Sequence, residues 1–105
     1  MAASTEHLSE KELLAQLEEA KKIVKIGAVY RHYRDPKSRY RVTNLAIIES
    51  TEEVGILYSK ETGSDTLTPI TWVRPLSSWT EEISVNNSMV PRFEELLSEG
   101  DSPLR

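Results

Sequence analysis

The sequence predicts a mainly β, α+β fold: a small, strongly bent antiparallel sheet or partly open barrel, preceded by one amphipathic helix. Three observations carry this expectation. Residues 9 to 25 repeat their apolar positions every three or four residues, as one face of a helix does. From Ala28 the period changes to two, in short runs separated by Pro, Gly, Asn and Asp. The stretch Trp72-Val73-Arg74-Pro75-Leu76 then stops a strand on a proline, whose missing backbone donor suits strand ends, edges and bulges.

The helix is expected from about Glu10 to Lys25. Ser9 and Glu12 form an S-x-x-E capping box, and Leu8 before the cap can staple to Leu13. Leu13, Leu14, Leu17, Ala20, Ile23 and Val24 make the apolar stripe. Glu18 with Lys22 is a favourable i,i+4 pair, and the lysines gather where the helix dipole favours cations. Gly27 frees the chain to change direction. Such a stripe must be buried, first against the rest of this domain, with a second copy or another protein as the alternatives.

Ala28 to Tyr33 reads as a first strand, Arg34-Asp35-Pro36-Lys37-Ser38 as a turn, and Arg39 to Glu49 as a long second strand. Beyond Asn44 its faces lose their polarity, which predicts a bulge or bend there. Val54 to Lys60 is the third strand, Glu61 to Thr68 a polar loop, and Thr71 to Arg74 the fourth strand. Alternation puts Trp72 and Arg74 on one face, with Ile70 beside them, and sends Thr71 and Val73 to the other. Trp79 to Val85 reads as a fifth strand or an extended arm, and Asn86-Asn87-Ser88 as a turn. Phe93, Leu96 and Leu97 close the core in a short strand or helical turn, and residues from Ser98 onward read as a flexible tail.

With 38% hydrophobic and 29% charged residues, the composition is that of a soluble folded chain. No cysteine is present, so disulfides, thiolate metal sites and Cys nucleophiles are excluded. The longest apolar run, Leu45 to Ile48, is far too short to span a membrane, and Met1 to Ser9 lack the order of a signal peptide. A cytoplasmic location is the expectation. The net charge of −4 changes sign along the chain: residues 1 to 27 carry −1, residues 28 to 45 carry +4, and residues 46 to 105 carry −7. The basic stretch Arg31, Arg34, Lys37, Arg39 and Arg41 can meet phosphate or carboxylate, or pair with the Glu-rich segments. The acidic remainder repels a long polyanion, so general nucleic-acid binding is not expected.

Chemistry-bearing motifs are few. His7 and His32 have no metal-ligand spacing, and no glycine-rich phosphate loop or G-x-S-x-G elbow occurs, so neither a metal site nor a cofactor is expected. No catalytic residue is assigned. What remains is a set of rings and arginines: Tyr30, Arg31, His32 and Tyr33, then Trp72 and Arg74, then Arg92 and Phe93. Aromatic walls with guanidinium forks suit a planar or anionic ligand. The same residues also suit a small barrel's core with arginines at its rim.

The order Gly27-x-Val29-Tyr30-Arg31-His32-Tyr33, Tyr40-x-Val42, Tyr58, Trp72-Val73-Arg74-Pro75-Leu76 and Pro91-Arg92-Phe93 resembles the family called domain of unknown function 1653, over about Gly27 to Leu96. The resemblance implies a small SH3-like antiparallel β-barrel and no established activity. With the helix and tail read from the residues outside it, the chain divides into a disordered N-terminus (1–8), an amphipathic helix (9–26), the barrel domain (27–97) and a flexible tail (98–105). Three departures stand out: the insert Asp35-Pro36-Lys37-Ser38 lengthens the first hairpin, Ile48 replaces a common His, and Trp79 replaces a Met-Phe pair. A shared site would here comprise Arg31, His32, Arg74 and Arg92, with Tyr33 and Trp72 as walls.

The leading expectation is a non-catalytic binding module for a small anionic or planar ligand, or a peptide segment. A rival is an enzyme or enzyme accessory acting on nucleotides or phosphorylated metabolites, with His32 as acid or base and the arginines as phosphate clamps. A third is an interaction module that docks a partner through the helix stripe. The sheet edge and the stripe both leave oligomeric pairing open.

Overall fold

A computed structural model describes residues 8–62 and 68–96. Helix α1 (Glu10–Ile23) starts as its residues require: Ser9 accepts from the Glu12 backbone, and the Glu12 side chain accepts from the Ser9 backbone, completing the capping box. It ends at Ile23, two residues before the predicted Lys25, with Val24 as its C-cap, and Gly27 takes a φ of +91° as the chain turns away. The buried stripe is narrower than expected. Ala20 and Val24 are fully buried and Leu17 packs on the core, while Leu14 and Ile23 flank the contact and stay exposed. The surface ion pairs are Lys21 with Glu18 and Lys22 with Glu19, each at i,i+3, instead of Glu18 with Lys22.

Strand β1 (Val29–His32) pairs antiparallel with β2 (Asp35–Ile48), and β2 with β3 (Glu53–Glu61). The first turn is Tyr33-Arg34, not the longer Arg34 to Ser38 predicted. Between the pairs His32↔Asp35 and Tyr30↔Tyr40, five steps along β2 face two along β1. Pro36 is thus extended in a bulged arm, where its missing donor costs no ladder bond. The second irregularity falls between Val42 and Asn44, where the loss of polar alternation predicted it. The predicted loop from Glu61 to Thr68 lies mostly outside the described residues.

Strand β4 (Trp72–Pro75) pairs with β3 and passes directly into α2 (Leu76–Trp79), a single helical turn. Trp79 therefore lies in a helix, not in a strand or arm. β5 (Glu82–Val85) and β6 (Ser88–Pro91) form a separate hairpin whose tip places Asn86 and Asn87 at φ 51° and 68°, the turn that two such asparagines favour. β7 (Phe93–Leu96) pairs with β1, which resolves the predicted strand-or-helix choice; Leu97 lies outside the described residues.

The main sheet has the order β4-β3-β2-β1-β7, so the architecture is antiparallel and mainly β with an N-terminal helix, as predicted. Hydrogen bonding does not close it into a barrel among the described residues: β4 and β7 are its two edges. The sheet nevertheless curls enough to bring those edges together, since the Arg74 guanidinium of β4 lies 5.5 Å from the Phe93 ring of β7. α2 fills the gap. Trp79 stacks flat on Phe93 at 3.7 Å and meets Tyr30 and Tyr58 edge-on.

Close packing on the other side of β3 gives a direct prediction. A Cβ built on Gly55 lies 2.9 Å from both Ile48 Cγ1 and Val73 Cγ2. Gly55→Ala should therefore destabilise the fold by about 1–3 kcal/mol through overpacking, read as a lower denaturant midpoint at unchanged slope. An unchanged midpoint would show that Val73 simply moves aside.

Candidate functional site

Alternation along β1 separates the run Tyr30 to Tyr33 onto two faces. Tyr30 goes inward, where it is buried and its hydroxyl accepts from the Lys25 backbone. Arg31 points the other way and pairs with its cross-strand neighbour Glu94 at 2.8 Å. Tyr33 lies on that second face too: with Arg31, Pro36, Val85, Val90, Pro91 and Glu94 it lines a depression of about 440 Å³ under the β5–β6 hairpin.

His32, Trp72 and Arg74 come together on the concave face instead. They line an open cavity of about 410 Å³ whose remaining walls are Tyr40, Tyr58, Lys60 and Phe93. Of the six residues singled out in the sequence, three thus share this cavity and two face away. The sixth, Arg92, holds structure: Nε donates to the Ser78 carbonyl at 3.0 Å and NH2 to Glu81 at 2.6 Å, fixing the end of α2. Tyr40, Tyr58 and Lys60 were not identified as site residues. Register is the signal that places them there, because Tyr40 pairs with Lys60 and Tyr58 with Trp72 across neighbouring strands.

The cavity's cations differ from three of the other arginines. Arg31, Arg41 and Arg92 each have a glutamate partner, in accord with the reading that basic and acidic segments pair. Arg74 has none among the described residues. Its NH1 donates to the Ser78 hydroxyl at 2.9 Å, and its Nε is buried without an acceptor. A buried donor left unpaired is costly and rare, and it marks a place where an acceptor is missing. Lys60 is exposed at the rim and also forms no ion pair among the described residues.

His32 accepts the Arg34 backbone N–H on Nδ1 at 3.1 Å, which leaves the proton of the neutral ring on Nε2. Burial lowers its pKa from the ordinary 6.5, and Arg74, Arg92 and Arg34 lower it further, against a smaller opposing pull from Asp35. The ring is therefore neutral at pH 7. A group held neutral by the fold contributes stability above its unfolded pKa and loses it as pH falls through its lower folded pKa. The His32 ring resonances should titrate below pH 6.5, and Arg74→Gln should move that midpoint upward. A midpoint at or above 6.5 in the wild type would refute this arrangement of charges.

Tyr40 is shifted upward, first by burial and then by Asp35, so its phenol remains protonated across the physiological range. Chemically the cavity offers four aromatic rings, one guanidinium, one ammonium, and a neutral imidazole. Among the described residues no carboxylate and no Ser, Thr or Cys lines it, and no group of His, Cys, Asp and Glu could hold a metal ion. No helix of the described residues is long and apolar enough to cross a membrane.

Residues 28–95 match a family described as protein of unknown function (DUF1653). Among solved structures, the crystal structure of a protein of that family from Bordetella bronchiseptica is similar with a TM-score of 0.51 and 28% sequence identity, covering 64% of this chain and 81% of that one. No curated protein matches the sequence. The matched interval contains all seven residues of the cavity and leaves out α1.

Proposed function

We propose that this chain, which belongs to the DUF1653 family of proteins of unknown function, is a non-catalytic binding module whose concave-face cavity receives a planar, anionic group. The observation that carries this reading is Arg74: a cation set against aromatic rings, with a buried Nε and no carboxylate to neutralise it among the described residues. An incoming anion supplies that counter-charge, and the rings of Trp72, Tyr40 and Tyr58 supply flat apolar surface beside it. The cations disfavour a positively charged guest for the same reason.

A thermal-shift screen against nucleotides, sugar phosphates and aromatic acids tests this. A ligand present at a hundred times its dissociation constant stabilises the folded state by about 2.7 kcal/mol, a rise of several degrees in melting temperature. That rise should vanish in Arg74→Ala. If no planar anion moves the midpoint of the wild type, the cavity is not a ligand site and the reading fails.

A further inference from the structure

The chemistry of the cavity narrows its ligand further, granting the binding role proposed above. Among the described residues only one guanidinium and one ammonium line it, and Arg74 already gives NH1 to Ser78. That is little charge for a phosphate dianion or a diphosphate, and it belongs to a chain of net charge −4 that repels polyanions at longer range. The walls are disproportionately aromatic for so few cations. Tyr58 meets Tyr40 edge-on at 5.9 Å and Phe93 at 5.7 Å, while Trp72 remains half exposed at the mouth with its ring available for stacking. We propose that the ligand is an aromatic or heteroaromatic monocarboxylate, its ring against Trp72 and the tyrosines and its carboxylate among Arg74, Lys60 and His32.

This placement couples binding to a proton. The charged groups facing His32 are Arg74 of β4, Arg92 ahead of β7, Arg34 of the first turn and Asp35 of β2; Lys60 and the phenols of Tyr40 and Tyr58 share its cavity. Burial and, after it, three of these cations hold the imidazole neutral. A carboxylate beside it offsets their field, so the bound state holds its His32 proton more tightly than the free state, and binding takes up a proton near neutrality. Affinity then rises on acidification by up to about tenfold per pH unit between the free and bound midpoints of His32. It falls again once the ligand's own carboxyl protonates, near pH 4.

The test is calorimetry of the full chain with indole-3-carboxylate, against indole-3-carboxamide and cyclohexanecarboxylate, in two buffers of different ionisation enthalpy. N-acetyl-L-phenylalanine is a further arm. It carries the same ring and carboxylate as a polypeptide C-terminus, so tighter binding of this probe assigns the chemistry to a chain end and tighter binding of the indole acid to a free metabolite. The carboxamide and the cyclohexane acid should each bind about tenfold or more weakly than the best aromatic acid. Fractional proton uptake should accompany binding and disappear in His32→Gln. Independently of that variant's folding, the His32 ring resonances of the wild type should shift to a higher midpoint on saturation. Binding of adenosine 5′-monophosphate with none of either aromatic acid overturns the monocarboxylate while leaving the binding role intact. Failure of every planar anion overturns both, and aromatic-acid binding without proton uptake overturns the carboxylate's place beside His32.

Discussion

Trp79→Ala should lower stability by about 3–5 kcal/mol, the range for removing a large buried ring, and melting temperature by on the order of 20 °C. The side chain is 3% exposed and sits at the meeting point of both sheet edges, flat on Phe93 and edge-on to Tyr30 and Tyr58. Removing it leaves a void bounded by β1, β3, β7 and α2, and a one-turn helix has no other means of holding its place. Trp79→Phe keeps the flat contact with Phe93 and should recover most of the loss. Trp72→Ala provides the contrast: with that residue 52% exposed, its removal should change stability by less than about 0.5 kcal/mol. Equal losses at the two tryptophans in chemical denaturation would show that Trp79 is not the keystone described.

The difference between those tryptophans was only half legible in the sequence. Trp72 could be placed because strand alternation and Pro75 fix its face, and the structure puts it beside Arg74 as expected. Trp79 could not. One helical turn contains too few residues to show a 3.6 period, and Leu-Ser-Ser-Trp suits an extended arm as well as a helix. The local signals that did hold have local causes: the capping box at Ser9, the bulge at Asn44, and the turn at Asn86-Asn87. The cavity is different in kind. His32 comes from β1 and Arg74 from β4, and they meet because the sheet curls until its edges approach, a property of five strands together. The family signature groups Arg31 and Tyr33 with His32, yet period two assigns them to the opposite face once the strand is in place. Arg92 carried the expected residue type, but its guanidinium is used at the end of α2.

Deleting residues 1–25 should abolish the cooperative unfolding transition of the sheet. If α1 served only to dock a partner, the remaining chain would melt as before and merely lose its association. The packing argues otherwise. Ala20 and Val24 are buried to 0% and 1% exposure in the same core as Val42, Val54 and Ile56, and Leu17 packs against it. The backbone N–H of Lys25 also occupies the hydroxyl of buried Tyr30, at 3.1 Å. Fully burying a side chain of valine size is worth about 1.5–3 kcal/mol, and Ala20 and Leu17 add to Val24, so losing the helix removes a large share of the about 5–15 kcal/mol that stabilises a domain. The match to the family begins at residue 28, so this contribution comes from a segment outside the matched sequence. Point variants separate packing from docking. Val24→Ala should destabilise measurably, by about 1–3 kcal/mol, whereas Leu14→Ser and Ile23→Ser, at residues 60% and 58% exposed, should stay within about 0.5 kcal/mol. A truncated chain that keeps a sharp transition near the full-length midpoint would mean that the sheet is complete without α1. Loss of the transition, with those two serine variants stable, would make the helix part of the core on which the concave face is built.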